Sequence, residues 1–180
     1  MKGSVKSISL IPISFCFLFL FRDEFAVPAR HLCHPEQREA ILELKNEFQI
    51  QKPCFDRTVS WVNNSDGIRC DASFGDVIEL NLSGNCIYGQ LNSKSSILRF
   101  QSLPFLATLD LSNNHFSGNV PSSLGNLSKL TTLDLSENAF NGEIPSSLGN
   151  LYNLAILNLS QNKLIVFLVK FHHSWEIFHI

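Results

Sequence analysis

Two groups of side chains in this sequence have types and spacings that suit chemistry. His31, Cys33 and His34 fall close together near the N-terminus, and imidazole and thiolate are the donors that bind zinc. Without further ligands at matching spacing they read as a loop with Cys33 in a disulfide. His172, His173 and His179 cluster near the other end and read as a solvated segment. Asp110 and Asp134 lie 24 residues apart, and a repeating fold would bring them onto one row. Paired carboxylates support acid–base hydrolysis when a pocket and a partner acid accompany them, and neither is evident, so a solvated acidic row is expected. The sequence has no phosphate-binding glycine loop, nucleophile elbow, H-E-x-x-H, C-x-x-C or EF-hand pattern. No catalytic residue, cofactor or metal is therefore expected, and the chain is read as no enzyme. Sixteen acidic against fourteen basic residues, a net charge of −2, leave no basic excess for nucleic acid.

The elements that would position these residues follow from a repeat. Leucine, serine and asparagine number 26, 22 and 16 among 180 residues, too apolar and too weakly charged for disorder. Asn85, Asn114, Asn138 and Asn162 are spaced by 29, 24 and 24. Leu103, Leu106, Leu109, Leu111 and Asn114 match L-x-x-L-x-x-L-x-L-x-x-N. Leu127, Leu130, Leu133, Leu135 and Asn138 match it again, as do Leu151, Leu154, Leu157, Leu159 and Asn162. Val77, Leu80, Leu82 and Asn85 form a looser first copy. Matches of this kind mark a leucine-rich repeat, an α/β solenoid of about four coils with a parallel sheet on its concave face.

In each L-x-L pair the leucines point into the core and the residue between them points out. The asparagine turns inward where the strand ends, where its amide can satisfy backbone groups of the curving loop. The expected concave rows are Glu79, Thr108, Thr132 and Ile156, then Asn81, Asp110, Asp134 and Asn158, then Ser83, Ser112, Ser136 and Ser160. A flanking row holds Gly84, Asn113, Glu137 and Gln161. This surface is polar, mildly acidic and poor in the aromatics that dominate interface energetics. Four coils about 4.8 Å apart give roughly 200–250 Å² of sheet, against about 800 Å² per partner in a standard interface.

After each asparagine come Phe116-Ser117-Gly118-Asn119-Val120-Pro121 and Phe140-Asn141-Gly142-Glu143-Ile144-Pro145, each followed by Ser-Ser-Leu-Gly-Asn-Leu. Glycine permits a tight turn there and proline bars a regular helix on the convex side. This N-x-x-x-G-x-[IV]-P form resembles the plant-specific leucine-rich repeat of extracellular receptors. Pro35 to Phe48 reads as an amphipathic helix with Ala40, Ile41, Leu44 and Phe48 on one face. With Ser60-Trp61 and Gly67-Ile68-Arg69-Cys70 it is similar to the helical N-terminal cap of plant receptor-like proteins and receptor kinases. That resemblance implies a non-enzymatic extracellular recognition module, working in defence or developmental signalling. Its implied partners are a protein or peptide ligand and a receptor-kinase co-receptor. A secreted inhibitor of pathogen wall-degrading enzymes, similar to polygalacturonase-inhibiting proteins, is the alternative, as is a truncated receptor product without function.

The sequence departs from the family at two places. The family's Cys-Cys-x-Trp is missing before Gly67, so Cys33 and Cys70 either bond each other or Cys54 substitutes. After Asn162 the repeat would place glycine at 166 and proline at 169, where Val166 and Val169 stand. Residues 166–180 therefore read as a non-repeat apolar tail, either folded over the last coil or exposed.

The N-terminus sets the compartment. Lys2 and Lys6 precede an apolar run from Ile8 to Phe21, and Ala26-Val27-Pro28-Ala29 follows. This is the pattern of a secretory signal peptide, and the run is shorter than the ~20 residues of a spanning helix. Cleavage is expected after Ala29. The divisions are then 1–29 signal peptide, 30–76 cap, 77–165 repeats and 166–180 tail, with no transmembrane anchor. The expected location is the secretory pathway and the apoplast, with the plasma membrane for full-length relatives. Export favours disulfides, with Cys33, Cys54, Cys70 and Cys86 as candidates, and four thiols allow three pairings. Asn63, Asn81, Asn126 and Asn158 begin N-x-[ST] glycosylation signals.

Overall fold

The computed structural model describes residues 33–50, 67–92, 95, 102–165 and 176–178, with only the backbone at 45, 50 and 176–178. The signal segment, Cys54 and the sequon at Asn63 lie outside the described residues.

Helix α1 (Pro35–Glu47) begins with proline in its first turn, where a missing N–H costs nothing, and carries Glu36 beside the helix dipole's positive end. Ala40, Ile41 and Leu44 are buried. Phe48 was expected on the helix itself but stands just past its end, in extended backbone at φ −120°, ψ 155°. That turn leads into β1 (Gln49–Ile50). Gln37, also buried, fastens the helix to the first coil: its Nε2 donates to Asp76 Oδ1 at 2.8 Å and its Oε1 accepts the Val77 N–H at 2.6 Å.

The concave sheet contains β2 (Ile68–Cys70), β3 (Val77–Asn81), β5 (Thr108–Asp110), β7 (Thr132–Asp134), β9 (Ile156–Asn158) and β11 (Glu176–Phe178), running β11-β9-β7-β5-β3-β2. Strand β2 pairs antiparallel with β3, and the other neighbours are parallel. Leu80, Leu109, Leu133, Leu157 and Ile177 share one rung. The cap strand is also tied covalently, by a Cys33–Cys70 disulfide with Cα atoms 5.5 Å apart. Strand β11 lies within the tail that shows no repeat in sequence, yet it takes a fifth coil's place, with Glu176 opposite Ile156.

A second sheet, unread in the sequence, covers the opposite side. It contains β1, β4 (Ile87–Gln90), β6 (His115–Asn119), β8 (Ala139–Glu143) and β10 (Lys163–Ile165), in that order. Strand β1 pairs antiparallel with β4 and the rest are parallel. Gly118 and Gly142 therefore sit inside strands, not in a separate turn. They take φ of +78° and +74°, and a methyl at Gly142 would come 2.5 Å from Asn119 Oδ1. Glycine thus supplies both the backbone angle and the room for the preceding coil's side chain.

The two sheets differ in register. Between β5, β7 and β9 the concave rungs join residues 24 apart (Asp110↔Asp134↔Asn158), while β6, β8 and β10 join residues 22 apart (Asn119↔Asn141↔Lys163), and the first coils keep the same difference at 29 and 27. Each outer strand is thus displaced by two residues per coil, roughly 6.6 Å at 3.3 Å per residue. The core holds the leucines of the repeat and the stacked Phe116 and Phe140 rings 6.0 Å apart, and short 3-10 helices Ser122–Asn126 and Ser146–Asn150 add buried Leu124 and Leu148 to it.

Candidate functional site

The L-x-L strands set out the concave surface in rows. Glu79, Thr108, Thr132 and Ile156 occupy one row. Ile156 is 46% exposed, while Glu79 is joined to Arg69 by an ion pair of 2.6 Å. Arg69 comes from the cap strand and was absent from the expected face. The alternation Ile68-Arg69-Cys70 was the available signal.

The next row, Asn81, Asp110, Asp134 and Asn158, is committed to holding the turns. Asp110 Oδ1 accepts the Ser112 N–H at 2.9 Å and its hydroxyl at 2.7 Å. Asp134 Oδ1 receives the same pair from Ser136 at 2.9 and 2.6 Å. Asn81 with Ser83, and Asn158 with Ser160, repeat the arrangement. Asn158 Nδ2 then donates to Asp134 Oδ2 at 3.0 Å, so both oxygens of that carboxylate are engaged. These are Asx turns, and an amide serves as well as a carboxylate in them. The serine row was expected on the contact surface. Ser136 is instead 5% exposed, because its hydroxyl folds back onto Asp134, while Ser83, Ser112 and Ser160 are half-buried.

In the flanking row Asn113, Glu137 and Gln161 are exposed and Gly84 is half-buried. Gly84, Asn113, Glu137 and Gln161 all have positive φ, from +52° to +65°, an angle that glycine and asparagine tolerate best.

The asparagines bridge adjacent coils. Asn114 Nδ2 donates to Leu82 O of the preceding coil and to Leu111 O and Ser112 O of its own. Its Oδ1 accepts the N–H groups of Asn85 and Ile87. Asn138 and Asn162 repeat this, reaching back to Leu111 O and Leu135 O and accepting from Phe116 and Phe140. Asn85 Nδ2 donates to Ser83 O.

The remaining candidates are dispersed. Cys33 is bound to Cys70, which removes its sulfur as a metal ligand, and Cys86 is also disulfide-bonded. Among the described residues no three His, Cys, Asp or Glu side chains gather into a metal site, and His31, His172, His173 and His179 lie outside them. Asn126 is exposed at the end of its 3-10 helix, while Asn81 and Asn158 are half-buried. No helix among the described residues is long and apolar enough to cross a membrane.

One feature of the flank has no counterpart in the expected face. Phe74, Phe105, Ile78 and Ala107 line an open hollow of about 880 Å³ where β3 and β5 begin, with Asp71, Asp76 and Lys129 in its walls.

Comparison with known proteins agrees with this architecture. The Leucine Rich Repeat family model matches residues 105–127 and 129–151. Receptor-like protein 19 of Arabidopsis thaliana is 56% identical over 139 residues, 71% of this chain and 14% of that protein. Receptor-like protein 33 of the same plant is 56% identical over 132 residues, 66% of this chain and 15% of that protein. The chain thus spans only about a seventh of the length of these relatives. Among solved structures, the ectodomain of the Arabidopsis receptor kinase HAESA, in complex with an N-terminally extended IDA peptide hormone, superposes with a TM-score of 0.60. It is 30% identical, over 72% of this chain and 21% of that one. By repeat, fold and sequence, the chain belongs with the leucine-rich-repeat receptor-like proteins of plants.

Proposed function

We propose that this chain is a non-enzymatic extracellular recognition module, exported by its N-terminal segment and acting in defence or developmental signalling through partner receptor kinases. The observation that carries the reading is the coupling of a disulfide-tied cap to a stack of coils that matches receptor-like proteins at 56% identity. Such a stack fixes its surface before a ligand arrives, so binding loses little conformational entropy. The polar side chains of the concave sheet are largely spent on Asx turns, which leaves rigid shape and a few free groups to select a ligand. The peptide hormone in the HAESA complex supports a peptide as the ligand class here.

The test is expression of the whole chain with its own leader in plant cells. Processing after Ala29, secretion into the apoplast and oxidised cysteines are expected, followed by co-purification with a receptor-kinase ectodomain. Quantitative retention and degradation inside the cell would overturn the reading.

A further inference from the structure

Three of the four N-x-S signals fall on described residues, and the fold puts them in two unlike settings. At Asn81 and Asn158 the two polar side chains of the signal bond each other. Asn81 Oδ1 accepts the Ser83 hydroxyl at 2.8 Å, and Asn158 Oδ1 accepts that of Ser160 at 2.8 Å. Asn158 Nδ2 also donates to Asp134 Oδ2 at 3.0 Å. These side chains are half-buried in the inner sheet, and folding consumes the groups that glycan transfer needs.

At Asn126 the backbone makes the turn and the side chains stay open. Leu127 has φ −79° and ψ 67°, the angles of an inverse γ-turn, and the Ser128 N–H donates to Asn126 O at 2.9 Å. Leu127 is buried and anchors the turn, while Asn126 and Ser128 are exposed on either side of it. Ser128 O accepts from Asn153 Nδ2 of the next coil at 2.8 Å, which steadies the segment without using the serine hydroxyl. The next coil repeats the turn, with Leu151 at φ −80°, ψ 73° and the Tyr152 N–H on Asn150 O at 3.0 Å. Tyr152 stands where Ser128 stands, so Asn150 lacks the hydroxyl that completes a signal.

We infer that Asn126 is the N-glycosylated residue of the described repeats, and that the Asx turns keep Asn81 and Asn158 bare. Transfer joins Asn126 Nδ2 to C1 of the sugar and breaks the sugar–phosphate bond of a lipid diphosphate oligosaccharide. The lipid diphosphate leaves, and the amide proton passes to a base. The inference rests on the reading of the chain as exported, since that donor belongs to the secretory pathway. A bulky hydrated sugar at this edge excludes a protein partner from the 3-10 side of the coil and leaves the inner sheet open.

The test expresses the full chain with its own leader in plant cells and releases its glycans with peptide N-glycosidase in ¹⁸O water. Each sugar-bearing asparagine then appears as labelled aspartate in the mass spectrum. Label is expected at Asn126 and not at Asn81 or Asn158. Ser128→Ala keeps the fold, since backbone groups of Ser128 make its bonds, and loses the label at Asn126. Tyr152→Ser, at a position 61% exposed, gains a label at Asn150 and one more glycosidase-sensitive gel shift. A bare Asn126 in a secreted chain, label at Asn81 or Asn158 equal to that at Asn126, or no gain from Tyr152→Ser would overturn the inference while leaving export intact. A chain that keeps its leader and carries no sugar at any position would overturn the export reading as well.

Discussion

The ring of Phe48 stands edge-on to Phe116, with centroids 5.1 Å apart and planes at 87°, and its Cδ1 lies where a methyl on Gly89 would come within 2.8 Å. A residue that leaves the cap helix thus seats in a notch of the second sheet and closes the column of stacked rings. The expected outcome is that Gly89→Ala destabilises the chain by about 2–3 kcal/mol, through the clash and through a φ of +147° that suits glycine. Phe48→Ala should cost a similar amount by opening a cavity. Urea midpoints measure both, and the double variant should cost less than the sum, because truncating the ring removes the clash.

Asn138 answers three carbonyls and one amide N–H across two coils. Asn138→Leu keeps the branched shape and leaves those groups unpaired, so a loss of about 2–4 kcal/mol is expected. Hydrogen exchange should accelerate at Phe116 in the preceding coil, and unchanged protection there would count against a coil-bridging role.

Asp134 looks acidic but acts as an acceptor. At Asp134 an amide would turn its Nδ2 against Asn158 Nδ2, so the clean test is Asp110→Asn, which should change the melting temperature by no more than about 2 °C, since Asn81 and Asn158 fill the same place with the same bonds to Ser83 and Ser160. Asp134→Ala releases the Ser136 N–H and hydroxyl and should cost about 1–2 kcal/mol. A large effect of the amide variant would show that charge matters at this row.

Disulfide mapping gives a sharp count. The proposed cleavage after Ala29 would remove Cys16, and with Cys33 bound to Cys70 and Cys86 also oxidised, Cys54–Cys86 is the expected second bridge. Peptide mass spectrometry of the secreted chain tests it. Cys33→Ser opens a bond whose ends are 37 residues apart and should cost about 2–4 kcal/mol.

The sequons should differ in use. Asn126 is exposed outside both sheets, while Asn158 Nδ2 is spent on Asp134. Asn126→Gln should abolish one glycosidase-sensitive gel shift, and Asn158→Gln should leave the band unmoved.

The inner sheet was legible because leucines at fixed offsets within a 24-residue period announce both the strands and the side they bury. The second sheet was not. Two of its strands, β6 and β8, each offer one buried aromatic, Phe116 or Phe140, followed two residues later by glycine, and a glycine inside a strand reads as punctuation. Ser136 was misplaced because alternation gives the direction of a side chain but not whether its hydroxyl folds back. The strand at Glu176–Phe178 follows its neighbour by 20 residues and not 24, so no period could point to it. The flank hollow has no signature at all, since Phe74 and Phe105 are brought together by the cap and the first coils and not by any shared spacing.

The unequal registers of the two sheets slide the outer layer sideways against the inner one at each coil, like a sheared deck of cards. Inner strands stay level while outer strands climb at every step, and the difference is relieved only by rotation about the long axis. In a longer array the same mismatch accumulates, so the inner ribbon sweeps round like the thread of a spiral staircase and offers a ligand a winding track instead of a flat trough.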